Sequence, residues 1–223
     1  MKVVGAVTIG QSPRTDVVPE MSSLAPRTRW IEAGALDNLN EAAIRRLAPS
    51  NSEFPLVTRL KCGQSVTIGF ESIKPFIQSA ITRVETEADL IVLLCSGPFS
   101  LRAHVPLLHT HHLIFSTVRT LQLSRLAIMK PHKKQVDQHF ESTKFRQRYS
   151  DIGVEMIPIF VPAYGSANFE EAGYAARSTG ASAVVMDCFG YTLDMKRKIA
   201  KASGLPTFLV RSLAAKMVAE LTD

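Results

Sequence analysis

Two cysteines of this sequence are candidates for chemistry, because each has a reactive thiol and directly follows an apolar run. Cys95 follows an apolar run at 90–94, and Cys188 follows a second apolar run at 183–187. A thiol that lies between a strand and a helix is close to free backbone amides, whose field favours the reactive thiolate. Most single cysteines are buried and inert, and we expect this of Cys62. Two cysteines in matching positions instead favour a functional role, in one shared pocket.

The residues that follow the two cysteines suit a ligand site. Small residues there let the backbone approach a ligand closely. Asp187, directly before Cys188, either holds a partner group in place or ends the strand and points away. The candidate substrate-binding residues after the cysteines are Ser96, Gly97, Phe189, Gly190 and Tyr191.

Two further apolar runs, at 2–9 and 112–116, are followed by polar residues. The planar fork of Arg14 suits a carboxylate or phosphate, although a surface arginine in a loop would look the same. The segment lacks the glycine spacing and the lysine of a phosphate-binding loop. Thr15 is either a ligand contact or a helix cap. The candidate substrate-binding residues after these two runs are Gln11, Ser12, Arg14, Thr15, Thr117 and Arg119.

Composition excludes several classes of protein. The 223 residues are 46% hydrophobic and 21% charged, which is typical of a globular protein. The net charge of +6 is spread along the chain without interleaved aromatic residues, so we expect no nucleic-acid partner. No apolar run approaches the roughly 20 residues that span a bilayer, and we expect no membrane partner. The sequence begins without a signal-peptide pattern, and its three cysteines form no CxxC pair, so a reducing cytoplasm is expected.

A metal site is not expected either. His104, His109, His111 and His112 lie in one segment, but Pro106 interrupts it and no carboxylate cluster accompanies it.

Short apolar runs alternate with amphipathic segments along the whole chain. This alternation predicts an α/β protein with a mainly parallel sheet covered by helices, in which ligands bind at the carboxyl ends of the strands. Pro158 predicts an edge strand or a bend for the run that contains it. The predicted strands are 2–9, 29–35, 56–62, 65–70, 90–94, 112–116, 125–129, 154–161, 183–187 and 207–210, and the predicted helices begin near 15 and at 39, 72, 132, 167, 193 and 212.

Three segments carry a family resemblance. The opening VTIGQSPRTDVVPEM (7–21), the strand end LLCSGPF (93–99) and the C-terminal segment that begins VVMDCFGYTLDM (184–221) resemble the AroM family. That family is related to the aspartate/glutamate/hydantoin racemase superfamily. The resemblance implies two pseudo-symmetric Rossmann-like lobes with mainly parallel sheets and an active-site cleft between them. We assign 1–100 with 207–223 to the N-terminal lobe and 101–206 to the C-terminal lobe.

The resemblance also implies a mechanism. In those racemases one cysteine from each lobe acts without a cofactor: one thiolate removes an α-proton and the other thiol returns a proton on the opposite face. Cys95 and Cys188 fall at the positions of these two bases. The racemases place Asn-Thr or Thr beside their cysteines, whereas Ser96-Gly97 and Phe189-Gly190 stand here. Arg14 and Arg119 would favour a more anionic ligand.

The leading hypothesis is therefore a cofactor-independent racemase or isomerase that acts on a small anionic carboxylate. One alternative keeps the fold but uses a single cysteine nucleophile, which would give isomerase, lyase or amide-cleaving chemistry. The other alternative is a non-catalytic small-molecule sensor. Association into a homo-oligomer is compatible with each hypothesis.

Overall fold

Parallel strands organise both halves of the chain. The structure, a computed structural model, describes residues 1–137 and 144–222. Contacts divide the chain into a first unit, Met1–His111 with Ala214–Asp223, and a second unit, His112–Leu213. Each unit contains its own four-stranded parallel sheet, which confirms the predicted α/β class with mainly parallel sheets.

The first unit is built around strand β1. Val4, Ala6 and Val7 are fully buried, as expected of a central parallel strand that is covered on both faces. The sheet order is β2-β1-β5-β6, and β3 and β4 form a separate antiparallel hairpin. The elements are β1 (Lys2–Thr8), α1 (Val18–Leu24), β2 (Thr28–Gly34), α2 (Glu41–Arg46), β3 (Pro55–Arg59), β4 (Ser65–Gly69), α3 (Phe70–Val84), β5 (Leu90–Leu93) and β6 (Leu107–Leu108).

The second unit repeats this arrangement around strand β7. Its sheet order is β10-β9-β7-β8, so the first strand is again central, with the second strand on one side and the third and fourth on the other. Pro158 lies in the edge strand β8, as predicted. Its elements are β7 (Arg125–Lys130), a 3₁₀ turn (Lys133–Gln135), α5 (Lys144–Ser150), β8 (Glu155–Phe160), α6 (Phe169–Ser178), β9 (Ala183–Met186), α7 (Leu193–Ser203) and β10 (Thr207–Leu209).

Both boundaries between the two units fall within helices. Helix α4 spans Thr110–Thr120 and helix α8 spans Val210–Thr222. The units differ in their bounds from the assigned lobes. The first unit extends to His111 because β6 pairs with β5, and Thr207–Leu209 belongs to the second unit because β10 pairs with β9.

The strand predicted at 112–116 is wrong, because these residues lie in helix α4. Ile114 and Val118 are buried at a helical spacing of four, whereas His112 and Ser116 are exposed. The apolar run is thus one face of a helix and not a buried strand.

The helix predicted to begin at 132 is only partly matched. The structure has the 3₁₀ turn near the start of this segment and α5 at its end, and residues 138–143 lie outside the described residues. None of the helices in the described part of the chain is both long enough and apolar enough to cross a membrane.

Glu53 fixes the start of helix α3 in the first unit. Its Oε1 accepts hydrogen bonds from the backbone N–H groups of Glu71 and Ser72, both at 2.8 Å. Phe70, the first residue of α3, stacks on Phe99 with ring centroids 4.5 Å apart. Since Phe99 lies in the segment that follows Cys95, the Glu53 cap supports the position of that segment.

We expect Glu53→Gln to destabilise the protein by about 1 kcal/mol at pH 7, the usual value for a capping side chain. Burial opposes the charged form of Glu53, but hydrogen bonds from Ser72 and Glu71 stabilise it and lower its pKa below 4.5. A lowered pKa contributes stability above the unfolded value, and this stability is lost as the pH falls through the folded value. Urea unfolding at several pH values should therefore show the gap between wild type and variant shrinking below pH 4.5.

Glu87→Gln is the matched control, because Glu87 is exposed just after the same helix. It should leave the unfolding free energy within about 0.5 kcal/mol of wild type. A Glu53→Gln gap that stays constant or widens in acid would contradict this account of the cap.

Candidate functional site

The third strand of each sheet leads directly to a cysteine. Cys95 follows β5 and Cys188 follows β9, at the carboxyl ends of their strands. One backbone hydrogen bond continues the pairing beyond each strand: Leu94 N–H donates to Val7 O at 2.8 Å, and Asp187 N–H donates to Met129 O at 3.2 Å. Cys95 and Cys188 therefore occupy equivalent positions in the two sheets.

Each thiol also accepts the same local hydrogen bond. Gly97 N–H donates to the Sγ of Cys95 at 3.5 Å, and Gly190 N–H donates to the Sγ of Cys188 at 3.3 Å. An N–H group directed at sulfur stabilises the thiolate more than the thiol. Cys95 is buried, whereas Cys188 is half-buried. The two Cys-x-Gly turns thus present two thiols with the same backbone chemistry and different exposure.

Thr110 and Phe99 hold the segment around Cys95. The buried hydroxyl of Thr110 donates to the carbonyl of Cys95 at 2.9 Å. A Cβ added to Gly97 would lie 2.6 Å from the Phe99 ring, so glycine is required for this packing. Ser96 remains half-buried beside the thiol.

Arg211 holds the segment around Cys188, and sequence reasoning missed it. Arg211 lies in the first turn of α8 and is 1% exposed. Its Nε donates to the carbonyl oxygen of Phe189 at 2.9 Å, and its Nη2 donates to the same oxygen. The signal available in the sequence was a charged residue inside the apolar run FLVRSLAA.

Phe189, Gly190 and Tyr191 are packed inside the second unit. Phe189 and Tyr191 are buried, and the Tyr191 hydroxyl donates to Val161 O at 2.5 Å. Burial, followed by the negative charges of Cys188 and Asp187, raises the pKa of Tyr191 far above its ordinary value. The phenol consequently stays protonated and acts as a hydrogen-bond donor that positions the segment. A Cβ on Gly190 would lie 2.8 Å from the Tyr164 ring.

The segment after β1 is stabilised by acidic side chains. Asp37 accepts hydrogen bonds from the backbone N–H of Ser12 at 2.7 Å, from the Ser12 hydroxyl at 2.8 Å and from Gly34 N–H at 2.7 Å. The side-chain oxygen of Gln11 accepts from Lys61 N–H at 2.9 Å. These contacts bring Gln11 and Ser12 to the carboxyl edge of the sheet that also carries Cys95.

Arg14 is buried within the same segment. Its Nε and Nη2 donate to the two carboxylate oxygens of Asp16 at 2.8 and 2.9 Å, and its Nη1 donates to the Thr8 hydroxyl at 2.9 Å. The fork of Arg14 is therefore engaged inside the chain, and its predicted contact with an anionic ligand stays a prediction. Thr15 is exposed. Burial raises the pKa of Glu32, although the Arg14 N–H that it accepts opposes this effect.

Thr117 and Arg119 do not follow a strand, because both lie in helix α4. The Thr117 hydroxyl donates to Leu113 O within the helix at 2.8 Å. Arg119 is exposed and lines a shallow cavity of about 280 Å³ with residues that precede β7 and β8. This cavity lies at the amino ends of those strands, whereas Cys188 lies at the carboxyl end of β9. Within residues 1–137 and 144–222, no group of three potential metal ligands comes together.

A comparison with protein-family models shows which family the chain belongs to. The family model described as AroM protein matches residues 4–222. The chain belongs to the AroM family. No curated protein matches the chain significantly.

Solved structures share the fold of this AroM family chain at low sequence identity. An unliganded arylmalonate decarboxylase is 13% identical with a TM-score of 0.64, covering 100% of this chain and 93% of that one. The maleate isomerase Iso from Pseudomonas putida S16 is 13% identical with a TM-score of 0.63, covering 99% and 92%. The aspartate racemase of Picrophilus torridus is 12% identical with a TM-score of 0.56, covering 100% and 94%. The chain thus has the fold of the racemase superfamily, as the sequence resemblance predicted.

We expect Arg211→Met to loosen the Cys188 segment, because the Phe189 carbonyl would lose a buried charged donor. The free energy of unfolding should fall by about 1.5–3 kcal/mol. Cys188 should react severalfold faster with iodoacetamide, measured by peptide mass spectrometry, while Cys95 keeps its rate. Arg197→Met is the control, because the Arg197 side chain is 72% exposed. Unchanged stability and an unchanged Cys188 rate would show that Arg211 does not hold this segment.

Proposed function

We propose that this AroM family protein is a cofactor-independent racemase or isomerase that transfers a proton at the α-carbon of a small carboxylate, with Cys95 and Cys188 as its two bases. One observation carries the proposal. Two thiols occupy equivalent strand ends of two similarly ordered sheets, and each accepts an N–H from the residue two positions later.

The two cysteine side chains supply both proton transfers of the proposed reaction. One cysteine, as the thiolate, removes the α-proton and becomes a thiol, and the electron pair of the C–H bond delocalises into the carboxylate. The other cysteine, as a thiol, donates its proton to the opposite face and becomes a thiolate. Backbone N–H groups that stabilise each thiolate are needed at both sulfurs, because the two exchange protonation states in each turnover.

Backbone amides also suit the recognition of the substrate carboxylate. Helix α7 begins at Leu193, five residues after Cys188, with Thr192 as its N-cap. The N-terminus of a helix favours bound anions. Solved structures with the same fold include racemases of aspartate and allantoin and a maleate isomerase. This likeness supports a small polar substrate.

A second candidate function uses Cys188 alone. Cys188 is half-buried while Cys95 is 8% exposed, so Cys188 is the more accessible nucleophile. Attack by a single thiolate would give isomerase, lyase or amide-cleaving chemistry. The arylmalonate decarboxylase fold relative supports a lyase among these.

Cysteine variants separate the two candidates. With a panel of enantiopure small carboxylates in deuterated water, wild type should interconvert enantiomers and incorporate deuterium at the α-carbon. We expect Cys95→Ala and Cys188→Ala each to lower the interconversion rate by about 10²–10⁴-fold, the usual effect of removing a general acid or base. Chiral chromatography and NMR measure the two readouts.

Cys62→Ala is the control, because Cys62 is exposed in the turn between β3 and β4. It should keep the wild-type rate. Full interconversion in Cys95→Ala, together with its loss in Cys188→Ala, would replace the two-base mechanism by the single-cysteine function. Tight binding without turnover in wild type would contradict both.

A further inference from the structure

Lys130 and Asp187 form a buried ion pair beside Cys188. Lys130 is the last residue of β7, and Asp187 follows the adjacent strand β9. The Lys130 ammonium contacts Asp187 Oδ2, and the two side chains are 12% and 2% exposed. The other carboxylate oxygen, Oδ1, is buried and has no hydrogen-bond partner within the described part of the chain.

The equivalent positions of the first unit carry no such pair. Leu94 N–H donates to Val7 O in the first sheet, and Asp187 N–H donates to Met129 O in the second, so Leu94 and Asp187 occupy equivalent positions. The residues that follow the two acceptors, Thr8 and Lys130, are then equivalent as well. Leu94 is 2% exposed and Thr8 is fully buried. An apolar residue thus fills this position in one sheet, so the fold itself does not require a carboxylate in the other.

A buried ion pair is also an inefficient way to stabilise a sheet. Removing two charges from water costs about as much as their attraction returns, and well-packed apolar residues usually serve as well. A buried carboxylate oxygen without a donor adds a further cost of about 1–3 kcal/mol. Asp187 is one residue from a candidate catalytic thiol, and a donor that arrives with a ligand would remove this cost.

The charge of Asp187 affects the pKa values of two tyrosines, Tyr149 and Tyr191. Burial, followed by the charge of Asp187, raises the pKa of Tyr149, and the same charge contributes at Tyr191. Both phenols therefore remain protonated beside the carboxylate.

We propose that Asp187 is a substrate-binding residue whose Oδ1 accepts a hydrogen bond from an N–H or O–H group on the carbon that Cys188 acts on. Lys130 is the positioning residue, because its contact with Oδ2 holds the carboxylate in place. The inference rests on the proposed function and specifies its substrate class: small carboxylates with an amino, ureido or hydroxyl substituent at the α-carbon. A purely hydrocarbon substituent would leave Oδ1 buried without a donor.

The test compares matched probes that differ only in the α-substituent. Binding of 2-aminobutanoate, 2-hydroxybutanoate and 2-methylbutanoate is measured by NMR titration, and their racemisation is measured separately. Wild type should bind at least one donor-bearing probe about 10- to 100-fold more tightly than 2-methylbutanoate, as expected for a hydrogen bond to a charged group.

Two variants remove the acceptor in different ways. Asp187→Asn replaces the charged acceptor with a neutral amide and should weaken the preference for donor-bearing probes. The double variant Lys130→Thr/Asp187→Leu copies the Thr8 and Leu94 pair of the first unit, so no buried charge is left unpaired, and it should abolish the preference. Its melting temperature and circular dichroism are measured to check that it is folded. Glu170→Gln, at an exposed position in the first turn of α6, is the control and should keep the preference.

The outcomes separate this inference from the proposed function. A donor preference that disappears in the double variant, without racemisation by wild type, supports the binding role and overturns the proposed reaction. Racemisation of 2-methylbutanoate as efficient as that of the donor-bearing probes overturns the binding role and leaves the reaction standing. No binding of any probe to wild type, or a preference that survives in the folded double variant, also overturns the binding role.

Discussion

One backbone hydrogen bond past the last paired residue sets the position of each cysteine. Leu94 and Asp187 donate to the central strand of their respective sheets, which extends the ladder to the residue just before each thiol. The next residue leaves the sheet at its carboxyl edge, and the glycine two positions after the cysteine turns its N–H back to the sulfur. The remaining features of the candidate site, from the Thr110 and Arg211 anchors to the Lys130–Asp187 pair, depend on this strand-end geometry.

The two units use one scaffold with different side chains. In the first unit the residues beside the thiol are Thr8 and Leu94, and the segment is held by hydroxyl and aromatic contacts. In the second unit the same positions carry charges, and a buried arginine holds the carbonyl of Phe189. Equal strand order therefore accompanies unequal electrostatics around the two thiols.

Much of the scaffold could be predicted because buried parallel strands leave a clear pattern. The runs before Cys95 and Cys188 are continuous and apolar, and the carboxyl-end rule directed attention to both thiols. The run at 112–116 was misassigned because five apolar or neutral residues fit a buried strand and one helix face equally well. Strand β6 has only two residues, Leu107 and Leu108, and so short a strand has no period to detect.

The partners of the polar residues could not be predicted. Arg14 suggested an anion clamp, but the turn that brings Asp16 against its fork is a property of the folded loop. Lys130 could have been found, since it ends an apolar strand next to the one that leads to Cys188. Its pairing with Asp187 depends on strand order, which the one-dimensional pattern does not contain.

The edges of the two sheets have a consequence for how this protein behaves at high concentration. An exposed strand edge can template the addition of a strand from another chain, which is a common route to aggregation. Strand β8 forms one edge and contains Pro158, which has no backbone N–H to offer. Strands β6 and β10 form two other edges and span only two and three residues. These three edges are therefore poor templates for intermolecular β-pairing, and the seven-residue β2 is the longest edge strand of the two parallel sheets.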